Sequence, residues 1–224
     1  MAIVDDLFAA WDYLLANFDR FLELLGQHVA LVGLSVLLAI VVAVPLGILS
    51  TRNDRLKGYI LGVGNVAQTV PTLAIIALVF PLLGIGFLPS LVGLFTYAIL
   101  PILTNTITGL EDVDEGAVEA ARGMGMTENE ILRQIKLPLA VPVIFAGIRT
   151  SAVINVGTAY LAFFIGGGGL GIWVISGINL FDMPQVLAGA IPGALLAITM
   201  DVSFALVERR LGGESTVNDQ ASAA

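Results

Sequence analysis

Cysteine is absent from this chain, and with it go disulfides and thiolate metal sites. Histidine occurs once, at His28, so no second imidazole is available to build a metal centre, and neither a metal nor another cofactor is expected. That lone ring is read as a residue of the membrane–water boundary. Charge is scarce: 12% of residues, against about 25% in a soluble domain, which makes lipid the expected solvent. The phosphate-cradling pattern G-x-x-x-x-G-K-[S/T] does not occur, which argues against ATP hydrolysis by this chain. The run "GGGGLG" at 166–171 satisfies G-x-G-x-x-G, but a membrane-length apolar run precedes it where a dinucleotide site needs a strand. It reads as a tight turn, or in functional terms as a flexible outer gate. No acidic pair lies deep within an apolar run, so an intramembrane enzyme is not expected and no catalytic residue is assigned. The basic residues are too few and too scattered for nucleic-acid binding.

What the chain does have is length without charge. No charged residue occurs from Leu24 to Thr51, Gly58 to Leu110, Thr150 to Phe181 or Met183 to Met200. A membrane-crossing helix takes roughly 20 apolar residues. The first run holds one span, at 28–50. The second holds two, broken at "PLLGIGFLPS". A fourth is expected over 141–165 and a fifth over 185–207. The fold class is therefore all-α: a polytopic membrane protein of five transmembrane helices.

Lysine and arginine set its orientation. Arg52, Arg55 and Lys57 fall in the first loop, Arg122, Arg133 and Lys136 in a polar insert, and Arg209 and Arg210 at the last span's end. Only Arg20 falls on the opposite side. The expected topology is a multi-pass plasma-membrane protein, N-terminus outside and C-terminus in the cytoplasm. Residues 1–25 show no cleavable leader pattern. Val4, Leu7, Phe8, Trp11, Leu14, Leu15, Phe18, Leu22 and Leu25 recur at helical spacing with acids between them, as in an amphipathic helix lying at the outer interface. A membrane domain then spans 26–210, and 211–224 reads as a disordered tail.

Polar residues inside spans are costly and tend to face the bundle interior. Asn65, Gln68, Asn105, Ser151, Asn155 and Thr158 are the candidates for a polar path, with Tyr160 at the outer end of the fourth span. The competing role is hydrogen bonding between helices. Arg149 and Asp201 lie at similar depth, roughly 10 Å inside the cytoplasmic boundary at 1.5 Å per residue. Opposite charges at one depth are expected to pair, joining spans four and five.

The insert, 111–138, is the most informative stretch. Its core reads "EAARGMGMTENEILRQIKLP". Ala117, Ala120, Ala121 and Met124 share a helical face, and Gly125 suits the left-handed turn that closes a helix. Thr127 and Glu130 form a capping box for a second short helix with Ile131, Leu132 and Ile135 on its apolar face. Pro138 is expected to stop that helix before span four. Such a hairpin serves equally as a cap on the bundle or as a docking surface for a soluble subunit.

The same residues carry a resemblance. Glu119, Ala120 and Ala121, then Gly125, then Ile135, Leu137 and Pro138 match the EAA motif of ABC importer permeases at every defining position. The resemblance implies that this loop, Arg122 included, is a coupling helix docking on an ATP-binding-cassette subunit. It extends over roughly 28–208. "VPTLAII", "LPILTNTITGLEDVD", "AGIRTSAVINVGTAYLAFFIGGGGLG" and "LAGAIPGALLAI" are similar to the osmoprotectant branch, which imports glycine betaine, carnitine or choline. Tyr160, Phe163, Ile172 and Trp173 depart from that pattern and leave the solute open. The implied partners are two ATPase subunits, a second permease chain, of the same or a different sequence, an extracytoplasmic solute-binding protein and the bilayer. A methionine-type permease shares the loop and the glycine-rich turn, but "INVGTA" favours the osmoprotectant branch. An ATPase-independent channel or carrier is the rival from another class.

Overall fold

The computed structural model describes residues 2–212. The tail expected over 211–224 lies, from residue 213 onward, outside the described residues. Among the described residues there are ten α-helices and no strand.

The N-terminal segment divides at Asn17, giving α1 (Ala2–Ala16) and α2 (Phe18–Ser50). Asn17 leaves helical geometry at φ −121 and ψ 33, and its side-chain amide donates to Tyr13 O at 2.9 Å. Residues 18–25, expected to continue one amphipathic helix with 1–17, instead form the N-terminal end of α2, the first long apolar helix. α1 is also apolar on two sides. Ala10, Tyr13 and Leu14 pack with Trp173 and Ala188, whereas Leu7, Phe8, Trp11 and Leu15 are exposed.

The second crossing is a bent pair, α3 (Asp54–Thr69) and α4 (Thr72–Leu83), with 95° between their axes. The expected break at 81–90 is present, where Gly84 and Gly86 take positive φ. The second break, at Val70–Pro71, has a local cause. Proline lacks an N–H and pushes the preceding residue out of helical geometry, and Val70 is extended at φ −81 and ψ 122. The freed carbonyl of Val70 accepts the Tyr97 hydroxyl at 2.7 Å, so the bend is satisfied within the protein.

α5 (Phe87–Glu111) follows, then α6 (Glu115–Gly123) and the four-residue α7 (Glu128–Ile131) of the polar insert. Pro138 does not stop α7. A π-turn at Leu132–Lys136 joins it to α8 (Leu137–Thr158), and the helix runs on through a 3₁₀ segment to Ile165, 38 residues in all. In an α-helix the Pro138 ring would press on the carbonyl four residues back. The wider π-turn, in which Leu137 N–H bonds Leu132 O, relieves that clash without ending the helix. α9 (Gly171–Leu180) and α10 (Met183–Gly212) complete the chain.

α2, α5 and α8 form the centre of the bundle around Val36, Ala39, Ala98, Ile102, Leu103, Ile144 and Ala152. Small residues allow this closeness. A Cβ on Gly147 of α8 would lie 2.7 Å from Pro101 O and 2.6 Å from Asn105 Cβ. Four helices are long and apolar enough to cross a membrane, and the bent pair counted as one span makes five.

Candidate functional site

The polar insert folds as a self-supporting hairpin at one end of the bundle. Asp114 caps α6 by accepting Ala117 N–H at 2.9 Å. Gly125 takes the left-handed conformation, φ +83, and Met126 N–H then reaches back to Ala121 O at 3.1 Å, closing the helix. The capping box is complete: Thr127 N–H donates to Glu130 Oε2 at 2.7 Å, and Glu130 N–H to Thr127 Oγ1 at 3.4 Å. Ala121, Val118 and Ile131 are buried against one another, with Ile135 alongside. The expected four-residue face of α6 therefore splits. Ala121 turns inward beside Val118, which the periodicity missed, while Ala120 and Met124 point out, Met124 being 74% exposed.

Arg122 closes the hairpin on itself. Its Nε and Nη2 donate to the two carboxylate oxygens of Glu128 at 2.9 and 3.3 Å. These hydrogen bonds hold the Glu128 carboxyl below the usual carboxylate range and raise the guanidinium. Two contacts tie the insert to the first loop: Arg52 donates to Asn129 Oδ1 at 3.1 Å, and Lys57 to Glu111 Oε1 at 2.7 Å. Between them a cavity of about 370 Å³ opens, lined by Thr51, Arg52, Glu128, Asn129, Ile131, Leu132 and Lys136. Glu119, Ala120, Arg122, Gly125 and Pro138 remain exposed, and Ile135 and Leu137 are half-buried. The result is a rigid, charged knob with an apolar tip, fused through the π-turn to the central helix α8.

Above it, the polar residues of the spans fall into two groups. Ser151 and Asn155 are buried joints. Ser151 Oγ donates to Ala98 O at 3.1 Å, and Asn155 Nδ2 donates to Ser35 Oγ at 2.9 Å and Leu94 O at 3.3 Å, so α8 is bonded to α2 and α5. Asn155 Oδ1 has no protein partner. Tyr160 is also a joint, its hydroxyl donating to Gly189 O of α10 at 3.0 Å. Asn65 is exposed on α3, while Gln68, Asn105 and Thr158 are half-buried. Gln68 donates to Tyr97 O at 3.3 Å and Asn105 to Pro101 O at 2.8 Å. None of the sixteen residues of α3 is buried. Its apolar side chains Tyr59, Ile60, Val63 and Ala67 line a second cavity of about 370 Å³ against α5.

Arg149 reaches from α8 to α10. Nε and Nη2 meet the two oxygens of Asp201 at 2.6 and 3.0 Å, and Nη1 lies 3.4 Å from Glu208. The fork geometry fixes the register of the two helices. The run "GGGGLG" is a turn with no strand beside it. Gly166, Gly168 and Gly169 all have positive φ, and Gly167 lies so close to Ser90 and Ala162 that a side chain would collide with both.

Comparison with known proteins sets this architecture in context. Residues 43–213 match the family model described as binding-protein-dependent transport system inner membrane component. The choline transport system permease protein OpuBB of Bacillus subtilis (strain 168) is 45% identical over 199 residues, 89% of this chain and 92% of that protein. The glycine betaine/carnitine/choline transport system permease protein OpuCB of the same organism is 44% identical over the same shares of each chain. Among solved structures, a chain of the MetNI methionine ABC transporter in an inward-facing conformation superposes with a TM-score of 0.80. It covers 87% of this chain and 97% of that one, at 20% sequence identity, a likeness of fold.

Proposed function

This chain belongs to the binding-protein-dependent transport system inner membrane components, and we propose that it moves a compatible solute of the choline, glycine betaine or carnitine type inward as the permease of an ATP-binding-cassette importer. It is a multi-pass component of the inner membrane, and ATP hydrolysis falls to a separate subunit of the system. The methionine alternative is the weaker one. The methionine transporter shares the fold at 20% identity, whereas the choline permease shares 45% of residues.

The observation that carries the mechanism is the continuous helix from Glu128 to Ile165. One end is the hairpin and the other reaches the glycine turn, so a push on Ala120, Met124 and their neighbours is delivered to the far side of the membrane along one rod. The excess of lysine and arginine in the first loop, the hairpin and the end of α10 favours a cytoplasmic hairpin and an N-terminus outside. Two ATPase subunits seat the hairpins of two identical permease chains, and a binding protein delivers solute at the opposite face. Glu119, Ala120, Ala121, Arg122 and Gly125 form the docking knob, and Ile135, Leu137 and Pro138 its junction with the rod. Asn65, Gln68, Asn105 and Thr158 remain available to line a path. Ser151, Asn155 and Tyr160, engaged between helices, hold its walls.

The test is uptake of labelled choline, glycine betaine and carnitine into vesicles holding this chain, its ATPase and its binding protein. Uptake that needs ATP, the ATPase and the binding protein supports the reading. Uptake without the ATPase makes the chain a channel or carrier. ATP-driven uptake of methionine alone reassigns the solute.

A further inference from the structure

The glycine turn at Gly166–Leu170 is held by two adjacent side chains of α2. Gln27 Oε1 accepts Gly169 N–H at 3.0 Å, and His28 Nδ1 accepts Leu170 N–H at 3.3 Å. The second ring nitrogen, Nε2, lies 3.0 Å from Val156 O near the end of α8. An amide N–H only donates and a carbonyl only accepts, so the imidazole is neutral with its proton on Nε2. The ring is 0% exposed and packs edge-on against Tyr160, 4.9 Å between centroids. Through these contacts one side chain gathers α2, α8 and the turn, and through Tyr160 it also touches the joint to α10. The backbone of the turn lies directly on it: a Cβ at Gly169 would fall 3.1 Å from Nδ1.

Beneath the turn sit Ser90 and Ala162, both 0% exposed. Over Ser90 and Ala162 the turn presents glycine backbone, and its one large side chain, Leu170, is buried beside Leu24, Trp173 and Ala188. The turn has positive φ at three of its glycines. Gly167 N–H bonds Ala162 O at 2.8 Å, and the only side-chain hydrogen bonds to the turn's amides among the described residues come from Gln27 and His28 of α2. We propose that His28, assisted by Gln27, is a positioning residue that latches the outer turn shut over Ser90 and Ala162, and that release of this latch opens the outer face to solute. The proposal rests on the import reading, in which the outer face alternates between closed and open. Neither residue touches the solute. Both act by holding backbone.

The native chain has no cysteine, so Ser90→Cys provides a single reporter under the turn. Its labelling by a membrane-impermeant maleimide is followed in vesicles holding the whole transporter, with neither solute nor ATP added. His28→Phe keeps a ring but bonds neither Leu170 nor Val156, and labelling is expected to accelerate about tenfold, the loss of two backbone hydrogen bonds. His28→Gln offers one donor and one acceptor, and labelling is expected to stay within about threefold of the unmodified background. Unchanged labelling in His28→Phe overturns the latch, as does equally fast labelling in His28→Gln, which would reduce the residue to packing. If His28→Phe does not reach the membrane, Gln27→Leu replaces it. An acceleration of about threefold or more then supports the latch and an unchanged rate overturns it. Because labelling is read without transport, it separates failure of the latch from failure of the import reading, which the uptake assay tests alone.

Discussion

Gly125 and Gly123 flank one residue of the hairpin and offer a controlled pair. A side chain added at either position meets nothing within 4 Å, so packing does not distinguish them. Backbone conformation does. Gly125 sits at φ +83, whereas Gly123 is the last residue of α6 with ordinary helical geometry. Valine at Gly125 must hold a branched side chain in the left-handed region, at about 2 kcal/mol, which lowers the population of the closed hairpin about thirtyfold. Alanine at Gly123 replaces the poorer helix former and is expected to be neutral or to stabilise by about 0.5–1 kcal/mol. In vesicles, Gly125→Val should leave the chain inserted and ATP hydrolysis measurable, while solute imported per ATP falls at least severalfold. Gly123→Ala should transport as the native chain does. Normal coupling in Gly125→Val, or equal damage from both, would refute the view that a preformed hairpin passes on the motion.

Three further outcomes follow from the bundle. Gly147→Val places atoms where Pro101 O and Asn105 already stand, and overpacking of about 1–3 kcal/mol or more should lower the thermal midpoint of the purified protein by several degrees. Asn155→Asp sets an acceptor against Leu94 O in a fully buried site, at on the order of 3 kcal/mol, and should unfold at lower temperature than Asn155→Leu, which leaves no charge behind. Arg149→Asp and Asp201→Arg should each lower the thermal midpoint and, combined, recover most of the loss. A double variant no better than either single one would show that the fork does not hold α8 to α10.

The hairpin was the most legible part of the chain because its signals are local. Gly125, Thr127 and Glu130 each act on backbone within four residues, and each stands in the geometry its type favours. The likeness in depth of Arg149 and Asp201 was readable as well, since helical rise converts sequence distance into depth. What was misread depends on neighbours or on tolerance. Pro138 looks like a stop signal, yet one π-turn absorbs it, and the helix continues. Val70–Pro71 lies within a long uncharged run, so the bend shows in the backbone dihedrals of the pair and not in the charge pattern. Polarity marked Ser151 and Asn155 as facing the bundle interior but could not say that α2 and α5 cover them. His28 was read as a boundary residue because its partners, Val156 and Leu170, lie 128 and 142 positions away.

The most direct measurement of force transfer uses the exposed tip of the hairpin. With Met124→Cys as the only cysteine of the permease, crosslinking is attempted to single cysteines scanned across the surface of the ATPase subunit, with and without ATP. A crosslink confined to one cleft of the ATPase, with a yield that changes on nucleotide binding, is the predicted result. No crosslink at any position, or labelling of Met124→Cys from outside intact cells, would contradict the transmission of ATPase motion through this hairpin to α8.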